Sequence, residues 1–176
     1  MCEVKILSGV SGSGKSILAK NIQAATHQAF THPAFSVIVS ADDFFMKDGK
    51  YLFDPSKLGE AHASCFRSFI EAMQEIHTYQ HRDGGMMDRH NDLIIVDNTN
   101  TTVEEIAPYV LGASAFGYEC EIITIMLATD DDLQKCVVRN THKVPASVII
   151  SQQSRLLKRK LPPWWNARIS SNGFGL

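Results

Sequence analysis

The sequence lacks the basic excess that is typical of proteins that grip duplex DNA along its length. Its 17 lysine and arginine residues are outnumbered by 19 aspartate and glutamate residues, and the net charge is −2. An extended DNA-binding surface is therefore not expected. A nucleic-acid ligand of this chain would have to be held locally, by one end or by a flipped base.

Cysteine is scarce, and the cysteines that are present do not form a recognisable metal site. No Cys-x-x-Cys pair occurs, and no spacing of His and Cys residues matches a zinc site. The pattern indicates reduced, buried thiols in a cytosolic protein. The four cysteines are Cys2, Cys65, Cys120 and Cys136.

Long apolar runs are also missing, because no stretch approaches the roughly 20 residues that a membrane-spanning helix needs. Residues 1–5 lead directly into a strand-like run and show no features of a signal peptide. We therefore expect a cytoplasmic protein without a membrane partner. The length of 176 residues suits a single domain that covers positions 1–176.

The sequence does contain a regular alternation of short apolar, β-branched runs and helical segments. Such runs are typical of parallel strands that helices cover on both faces, so the pattern predicts an α/β fold. The predicted strands are 4–7, 36–39, 93–96 and 121–127. The predicted helices are 15–29, 54–76, 102–117, 130–140 and one that begins after Pro145 and ends before Pro162.

A phosphate-binding loop is the strongest functional signal. Residues 9–16 match Gly-x-x-x-x-Gly-Lys-Ser in full, between a predicted strand and an amphipathic helix. In such a loop the backbone N–H groups surround the phosphates, the lysine reaches the β- and γ-phosphates, and the serine hydroxyl binds Mg²⁺. The motif therefore predicts a nucleoside triphosphate and Mg²⁺. The residues predicted to bind the nucleotide are Gly9, Ser11, Gly12, Ser13, Gly14, Lys15, Ser16 and Ile17.

Two carboxylates, Asp42 and Asp43, follow the second predicted strand. The carboxyl edge of a parallel sheet is where ligands bind in open α/β folds. If this strand neighbours the first, Asp42 faces the γ-phosphate, where a carboxylate can orient an acceptor hydroxyl and take its proton. The alternative is that both aspartates cap a turn. Asp43, whose side chain points the other way, is structural or contacts the acceptor.

The third predicted strand ends in Asp97-Asn98-Thr99-Asn100. An acid after four apolar residues resembles a Walker-B position, so Asp97 and Ser16 are the predicted magnesium ligands. Thr99 and Asn100 lie at the same sheet edge and are candidates for contact with the acceptor. The alternative is a hydrogen-bonding turn that starts the next helix.

A short basic segment at about 139–146 connects the last two predicted helices. Such a segment can close over a triphosphate as a lid, and Arg139 would then stabilise charge on the transferring phosphoryl group. A solvated basic turn is the alternative. A later basic cluster is either a solvated helix face or a surface for a nucleic-acid backbone. It consists of Arg155, Lys158, Arg159 and Lys160.

One further pattern has a plain interpretation. His81-Arg82-Asp83 resembles part of a protein-kinase catalytic loop, but the other motifs of that family do not accompany it. Because residues 78–92 are rich in His, Asp and Gly, they are predicted to form an exposed loop.

Taken together, the motifs resemble those of a group of small P-loop kinases. The order of residues 9–16, 41–45, 97–100 and 139–142 is similar to that in the kinase domain of bacteriophage polynucleotide kinase. It is still more similar to ATP-binding domains found in ubiquitin-ligase-binding proteins. The resemblance covers residues 3 to about 157. It implies a three-layer P-loop NTPase with the strand order 2-3-1-4-5, of which four strands are evident.

The resemblance also implies ATP-dependent phosphorylation of a hydroxyl. Asp42 is then the general base, Lys15 and Ser16 bind phosphate and magnesium, and Arg139 is a lid residue. Polynucleotide kinase has an acceptor-binding arginine shortly after its paired aspartates, and Phe45 stands at that position here, with Lys47 nearby. Together with Phe44, Phe45 can stack on a base or belong to the core.

We therefore expect an ATP- and Mg²⁺-dependent phosphotransferase with a nucleic-acid or nucleoside-like acceptor. The 5′-hydroxyl of a polynucleotide and a hydroxymethylated base in DNA are the two candidate acceptors. A non-catalytic ATP-binding interaction module and a kinase of a small metabolite are the alternatives. The candidate catalytic residues are Asp42, Lys15 and Arg139, and the candidate acceptor-binding residues are Asp43, Phe44, Phe45, Thr99 and Asn100.

Overall fold

The computed structural model describes residues 2–29, 35–81 and 92–170. In these ranges strands and helices alternate, and two short 3₁₀ turns lie at Ala41–Phe45 and Pro55–Lys57. The strands are β1 (Glu3–Ser8), β2 (Ser36–Val39), β3 (Met46–Lys47), β4 (Lys50–Tyr51), β5 (Leu93–Asp97), β6 (Glu119–Ile125) and β7 (Ala167–Ser170). The helices are α1 (Lys15–Ala29), α2 (Leu58–His81), α3 (Val103–Ala115), α4 (Asp130–Arg139) and α5 (Ala146–Lys158).

Five strands form one sheet in the order β2-β5-β1-β6-β7, and every neighbouring pair is parallel. Counted along the chain within this sheet, the order is 2-3-1-4-5. The predicted α/β fold and strand order are therefore confirmed. Because β1 is central, the loop that follows it lies beside the carboxyl ends of β5 and β6.

The strand that the sequence pattern does not reveal is β7. Its side chains are mostly exposed, and it joins the sheet by backbone pairing with β6, where Ile122 lies opposite Ala167. An exposed edge strand lacks the apolar run that marks the four buried strands. The small antiparallel hairpin of β3 and β4 is likewise absent from the predicted elements.

Apolar side chains bury both faces of the sheet. On one face Ile6 lies in the main core, together with Phe69 of α2 and Ile106 of α3. On the other face Leu7 packs with Ala19 of α1. Neighbouring residues of β1 thus enter opposite cores, as the alternation of side chains along a strand requires. This explains why the strand is apolar almost throughout.

Helix α2 is longer than the sequence pattern predicts. The predicted end is about Ile76, but the helix continues to His81. The prediction of an exposed loop at 78–92 is therefore wrong for residues 78–81. No glycine or proline interrupts the chain between Gly59 and Gly84, and the helix therefore has no local reason to stop. Residues 82–91 of the expected loop lie outside the described residues.

Candidate active site

The phosphate-binding loop (residues 9–16) is shaped by its contacts with α4 and α5. Gly12 has a φ of +79°, and a Cβ added there would collide with the backbone carbonyl of Cys136. Only glycine fits this contact. The Ser11 N–H donates to Gln152 Oε1 at 2.8 Å. Within the described structure the buried hydroxyl of Ser13 has no partner, so a polar ligand atom would satisfy it.

Lys15 places a cation inside this loop. Its side chain is buried, and Nζ donates to the carbonyl oxygen of Val10 at 2.8 Å. Burial lowers the pKa of Lys15 below its usual value, while the carboxylates of Asp97 and Asp42 act in the opposite direction. The negative charges of these two carboxylates thus favour the charged form of the buried ammonium group.

Asp97 ends β5 beside the start of α1. Burial raises the pKa of Asp97, while a hydrogen bond with Ser16 and the charge of Lys15 oppose that shift. A hydroxyl next to a carboxylate is an oxygen donor set that suits Mg²⁺, which takes most of its ligands from water and phosphate. The residues present fit that ion. Across the described ranges, no group of three or more His, Cys, Asp or Glu side chains is arranged to hold a metal.

Hydrogen bonds between the ends of β2 and β5 position Asp42. Ser40 Oγ donates to the carbonyl oxygen of Asp97 at 2.9 Å, and Ala41 N donates to Asn98 Oδ1 at 2.8 Å. Ser40 also caps the 3₁₀ turn by accepting the N–H of Asp42. These contacts bring Asp42 close enough to interact electrostatically with Lys15 and Asp97.

Both carboxylate oxygens of Asp42 have partners. The Tyr51 hydroxyl donates to Oδ1 at 2.7 Å, and His142 Nε2 lies 3.5 Å from Oδ2. The Tyr51 and His142 rings pack with centroids 4.2 Å apart. His142 belongs to the segment between α4 and α5, where a lid is predicted, and this segment therefore reaches Asp42. Arg139 is exposed at the base of the same segment, as the last residue of α4.

Two of the candidate acceptor-binding residues are buried. Phe45 is 3% exposed and lies in the main core. The Asn100 amide donates to the carbonyl oxygen of Leu7 at 2.7 Å. Thr99 is half-buried, and its backbone carbonyl oxygen accepts the N–H of Gly9. Thr99 and Asn100 thus connect the loop after β5 with the end of β1, as in the alternative of a hydrogen-bonding turn.

Asp43 and Phe44 face a different space from Asp42. They line a cleft of about 340 Å³ between the end of β2 and helix α2. Burial raises the pKa of Asp43, and the negative charges of Asp42 and Asp97 act in the same direction. Polar residues also line this cleft, namely Ser40, Ser64 and Ser68.

Two residues that shape the site, Tyr51 and Gln152, were not predicted from the sequence, and Arg159 was assigned only to the late basic cluster. For Tyr51 a signal existed, because Asp48-Gly49 is a hairpin-turn dipeptide that would have placed it on a strand near Asp42. No comparable signal marks the other two. Arg159 turns inward from the basic cluster and donates to Ser8 Oγ at 2.7 Å and to Thr124 Oγ1 at 2.7 Å.

None of the helices in the part of the chain that the structure describes has both the length and the apolar character needed to cross a bilayer.

A protein-family model described as AAA domain matches residues 4–159. A human relative, NEDD4-binding protein 2, is 36% identical over 105 residues, which make up 60% of this chain and 5% of the relative. The chain thus spans a small part of that protein's length.

Several solved structures share the fold. Kti12 of Chaetomium thermophilum, in complex with ADP-AlF3, has a TM-score of 0.60 at 10% identity, over 95% of this chain and 88% of its own. A gluconokinase of Sinorhizobium meliloti 1021 has a TM-score of 0.52 at 14% identity, over 96% and 83%. APS kinase CysC of Mycobacterium tuberculosis, in complex with AMPPNP and APS, has a TM-score of 0.52 at 12% identity, over 96% and 88%. At these identities the likeness extends to the fold alone.

The family model covers most of the chain, and the observed sheet order is the 2-3-1-4-5 order that the resemblance to P-loop kinases implies. The protein therefore belongs to this AAA-domain family and has a kinase-like P-loop nucleotide-binding fold.

Proposed function

We propose that this chain is an ATP- and Mg²⁺-dependent kinase that phosphorylates a hydroxyl of a nucleic acid or a nucleoside-like acceptor. The observation that carries the proposal is the position of Asp42 at the carboxyl edge of the sheet. Ser40 Oγ donates to the carbonyl oxygen of Asp97 at 2.9 Å, so Asp42 lies near the end of β5, which neighbours β1 and its phosphate-binding loop. The Asp42 side chain is 51% exposed, so an acceptor can approach it. A loop that only bound nucleotide would not require an accessible carboxylate at this sheet edge.

ATP is the proposed phosphate donor. Two structural neighbours were solved with ADP-AlF3 and with AMPPNP, which supports an adenine nucleotide here. The backbone N–H groups of residues 9–16, the ammonium group of Lys15 and the free hydroxyl of Ser13 would bind its phosphates. Ser16 and Asp97 would hold magnesium, which when bound neutralises charge on the β- and γ-phosphates.

Asp42 would act as the general base. Its carboxylate orients the acceptor hydroxyl and accepts the proton as the acceptor oxygen bonds to the γ-phosphorus. The bond from that phosphorus to the β–γ bridging oxygen breaks, and ADP leaves with the electron pair. Lys15 stabilises the negative charge that develops on the phosphates, and Arg139 would add a second cation when the segment that follows it closes.

The decisive experiment compares wild type with Asp42→Asn in the transfer of labelled γ-phosphate. The acceptors are DNA and RNA oligonucleotides with 5′-hydroxyl ends, DNA with hydroxymethylated bases, and free nucleosides. We expect the variant to lose roughly 100- to 10,000-fold in rate, since it can no longer take the proton, while its affinity for ATP changes little. Addition of a magnesium chelator should abolish transfer by the wild type.

Asp131→Asn is the matched control, because Asp131 is exposed on α4, where it forms a surface ion pair with Lys135. It should retain the wild-type rate. Equal transfer by Asp42→Asn and wild type would show that Asp42 is not the base.

A non-catalytic ATP-binding module is the second candidate. It is favoured by the contacts of Tyr51 and His142 with the two oxygens of Asp42, which an acceptor would have to share or displace. The core position of Phe45, where polynucleotide kinase has an arginine, favours it as well. Calorimetric binding of ATP and Mg²⁺ without product from any acceptor would select this candidate. Turnover on one acceptor would exclude it.

A further inference from the structure

A rigid hairpin lies directly beside Asp42. Strands β3 and β4 pair with Met46 opposite Tyr51 and with Lys47 opposite Lys50. The turn between them is Asp48-Gly49, in which both residues have positive φ, 49° and 73°. Such a turn matches the twist of the two strands and fixes their register. The hairpin segment (residues 46–53) therefore holds its side chains in a defined arrangement.

The hairpin segment contains two lysines and one acidic residue, Asp48 in its turn, so it keeps a net positive charge. Lys47 and Lys50 are exposed cross-strand neighbours, and like charges placed opposite each other destabilise a strand pair. Neither lysine forms an ion pair with any other residue that the structure describes. An anionic ligand would relieve this repulsion. The chain as a whole has a net charge of −2, so the pair is a local feature and not part of a general basic surface.

Aromatic rings make up the other part of the hairpin segment. The Tyr51 and Phe53 rings are nearly parallel, with an interplanar angle of 7° and centroids 6.3 Å apart. Phe45 packs edge-on against Phe53 from the core at 5.0 Å, which fixes the ring in place. Phe53 nevertheless remains 45% exposed. For Phe44 and Phe45 the sequence left base stacking and a core position open. Phe45 lies in the core and Phe44 lines the cleft beside α2, whereas Phe53 is an exposed ring of the hairpin segment.

We infer that the hairpin segment is the acceptor-binding element and that it binds the end of a single-stranded nucleic acid. A base would stack on the exposed ring of Phe53, and the phosphates would pair with Lys47 and Lys50. Aromatic rings combined with cations are how proteins bind single strands without reading their sequence. Tyr51 connects this platform to the chemistry, because its hydroxyl donates to Asp42. The inference rests on the proposed function, since it names the acceptor of that same site.

The binding experiment measures fluorescence anisotropy of a 3′-labelled oligothymidine with a 5′-hydroxyl end over a range of salt concentrations. The variant K47Q/K50Q should bind roughly tenfold more weakly, and its salt slope should be smaller by about 1.4, as expected when two cations leave a single strand. The control K20Q/R67Q removes the same charge from exposed positions on α1 and α2 and should bind like wild type. Equal affinities of wild type and K47Q/K50Q would overturn the inference. So would a loss confined to the control.

The stacking contact is tested separately. Phe53→Leu keeps an apolar side chain against Phe45 but removes the ring, and it should weaken binding by about tenfold. Phe53→Tyr keeps the ring and should bind like wild type. Thermal unfolding of each variant checks that the fold is intact. Full affinity of a folded Phe53→Leu variant would contradict the proposed platform.

Failure of this inference can be told apart from failure of the proposed function by transfer of labelled γ-phosphate. If wild type phosphorylates no acceptor, the kinase proposal itself fails. If it phosphorylates the oligonucleotide and K47Q/K50Q has an unchanged KM for that acceptor, only the hairpin inference fails. A raised KM for the oligonucleotide, with an unchanged KM for ATP, is the expected result. Equal kcat/KM for a free nucleoside and the oligonucleotide would also overturn the inference.

Discussion

At the scale of single residues, catalysis depends on how firmly the Asp42 carboxylate is held. Tyr51 is a positioning residue for it, because its hydroxyl donates to Oδ1 at 2.7 Å. Tyr51→Phe removes this hydrogen bond and keeps the ring. Since a misdirected base loses much of its effect, we expect kcat to fall roughly tenfold while the KM for ATP stays constant. Steady-state kinetics on the best acceptor measures both.

Tyr118→Phe is the matched control for this prediction. The Tyr118 hydroxyl also forms a hydrogen bond, donating to the carbonyl oxygen of Met73 at 3.3 Å, but both groups are buried in the core. Its loss should lower the free energy of unfolding by about 1 kcal/mol and leave kcat nearly constant. If the two variants affected kcat equally, Tyr51 would have only a structural role.

The residues of the candidate site show which contacts a sequence can reveal. Lys15, Ser16 and Asp97 could be selected because their surroundings are local: a loop joined to a helix, and an acid at the end of a buried strand. The contact between Asp42 and His142 could not, because it depends on where the segment after α4 returns to the sheet. The direction of the Phe45 side chain could not be predicted either. In a 3₁₀ turn, a shift by one residue decides whether a side chain faces the pocket or the core.

At the scale of elements, the phosphate-binding loop and α4 are fitted to each other at Gly12. Gly12→Ala would drive a Cβ into the backbone of Cys136 and would also strain a φ of +79°. We expect a loss of about 2–4 kcal/mol in the free energy of unfolding, because backbone atoms cannot move aside as a side chain can. Affinity for ATP should fall as well. Urea unfolding and calorimetry measure the two effects.

Gly49→Ala separates the two causes. Gly49 has a similar φ of +73°, but no atom lies within 4 Å of an added Cβ. Only the backbone strain remains, and the expected cost is about 1 kcal/mol. Equal destabilisation by the two variants would mean that the contact between the loop and α4 contributes nothing.

The elements themselves follow from sequence wherever the signal is local. The capping box of Thr102 and Glu105 starts α3 as predicted, and α1 has the predicted bounds. The edge strand β7 follows instead from pairing with β6, and its exposed residues carry no pattern of their own. Strand order also depends on pairing between strands that are distant in the sequence. It was predicted from the resemblance to a family and not from periodicity.

At the scale of the whole molecule, Arg159 connects the strand ends on which the site is built. Its guanidinium donates to Ser8 on β1, to Thr124 on β6 and to the carbonyl oxygen of Asn100 in the loop after β5. Burial lowers the pKa of Arg159 from its usual value, whereas the charge of Glu105 acts in the opposite direction. The chain therefore places a partly desolvated cation at the junction of three segments.

This arrangement predicts that Arg159→Lys destabilises the protein even though the charge is retained. One ammonium group cannot reproduce the fork of N–H donors that reaches three segments, so the unpaired acceptors should cost about 2 kcal/mol in the free energy of unfolding. Arg67→Lys is the control, because Arg67 is exposed on α2 and should cost no more than about 0.5 kcal/mol. Urea unfolding measures the stability of both variants. Equal midpoints for Arg159→Lys and wild type would show that Arg159 is not needed to hold the strand ends together. Because Ser8 directly precedes the phosphate-binding loop, a loosened junction should also weaken the binding of ATP. If Arg159→Lys is destabilised but binds ATP with full affinity, Arg159 stabilises the sheet and does not contribute to nucleotide binding.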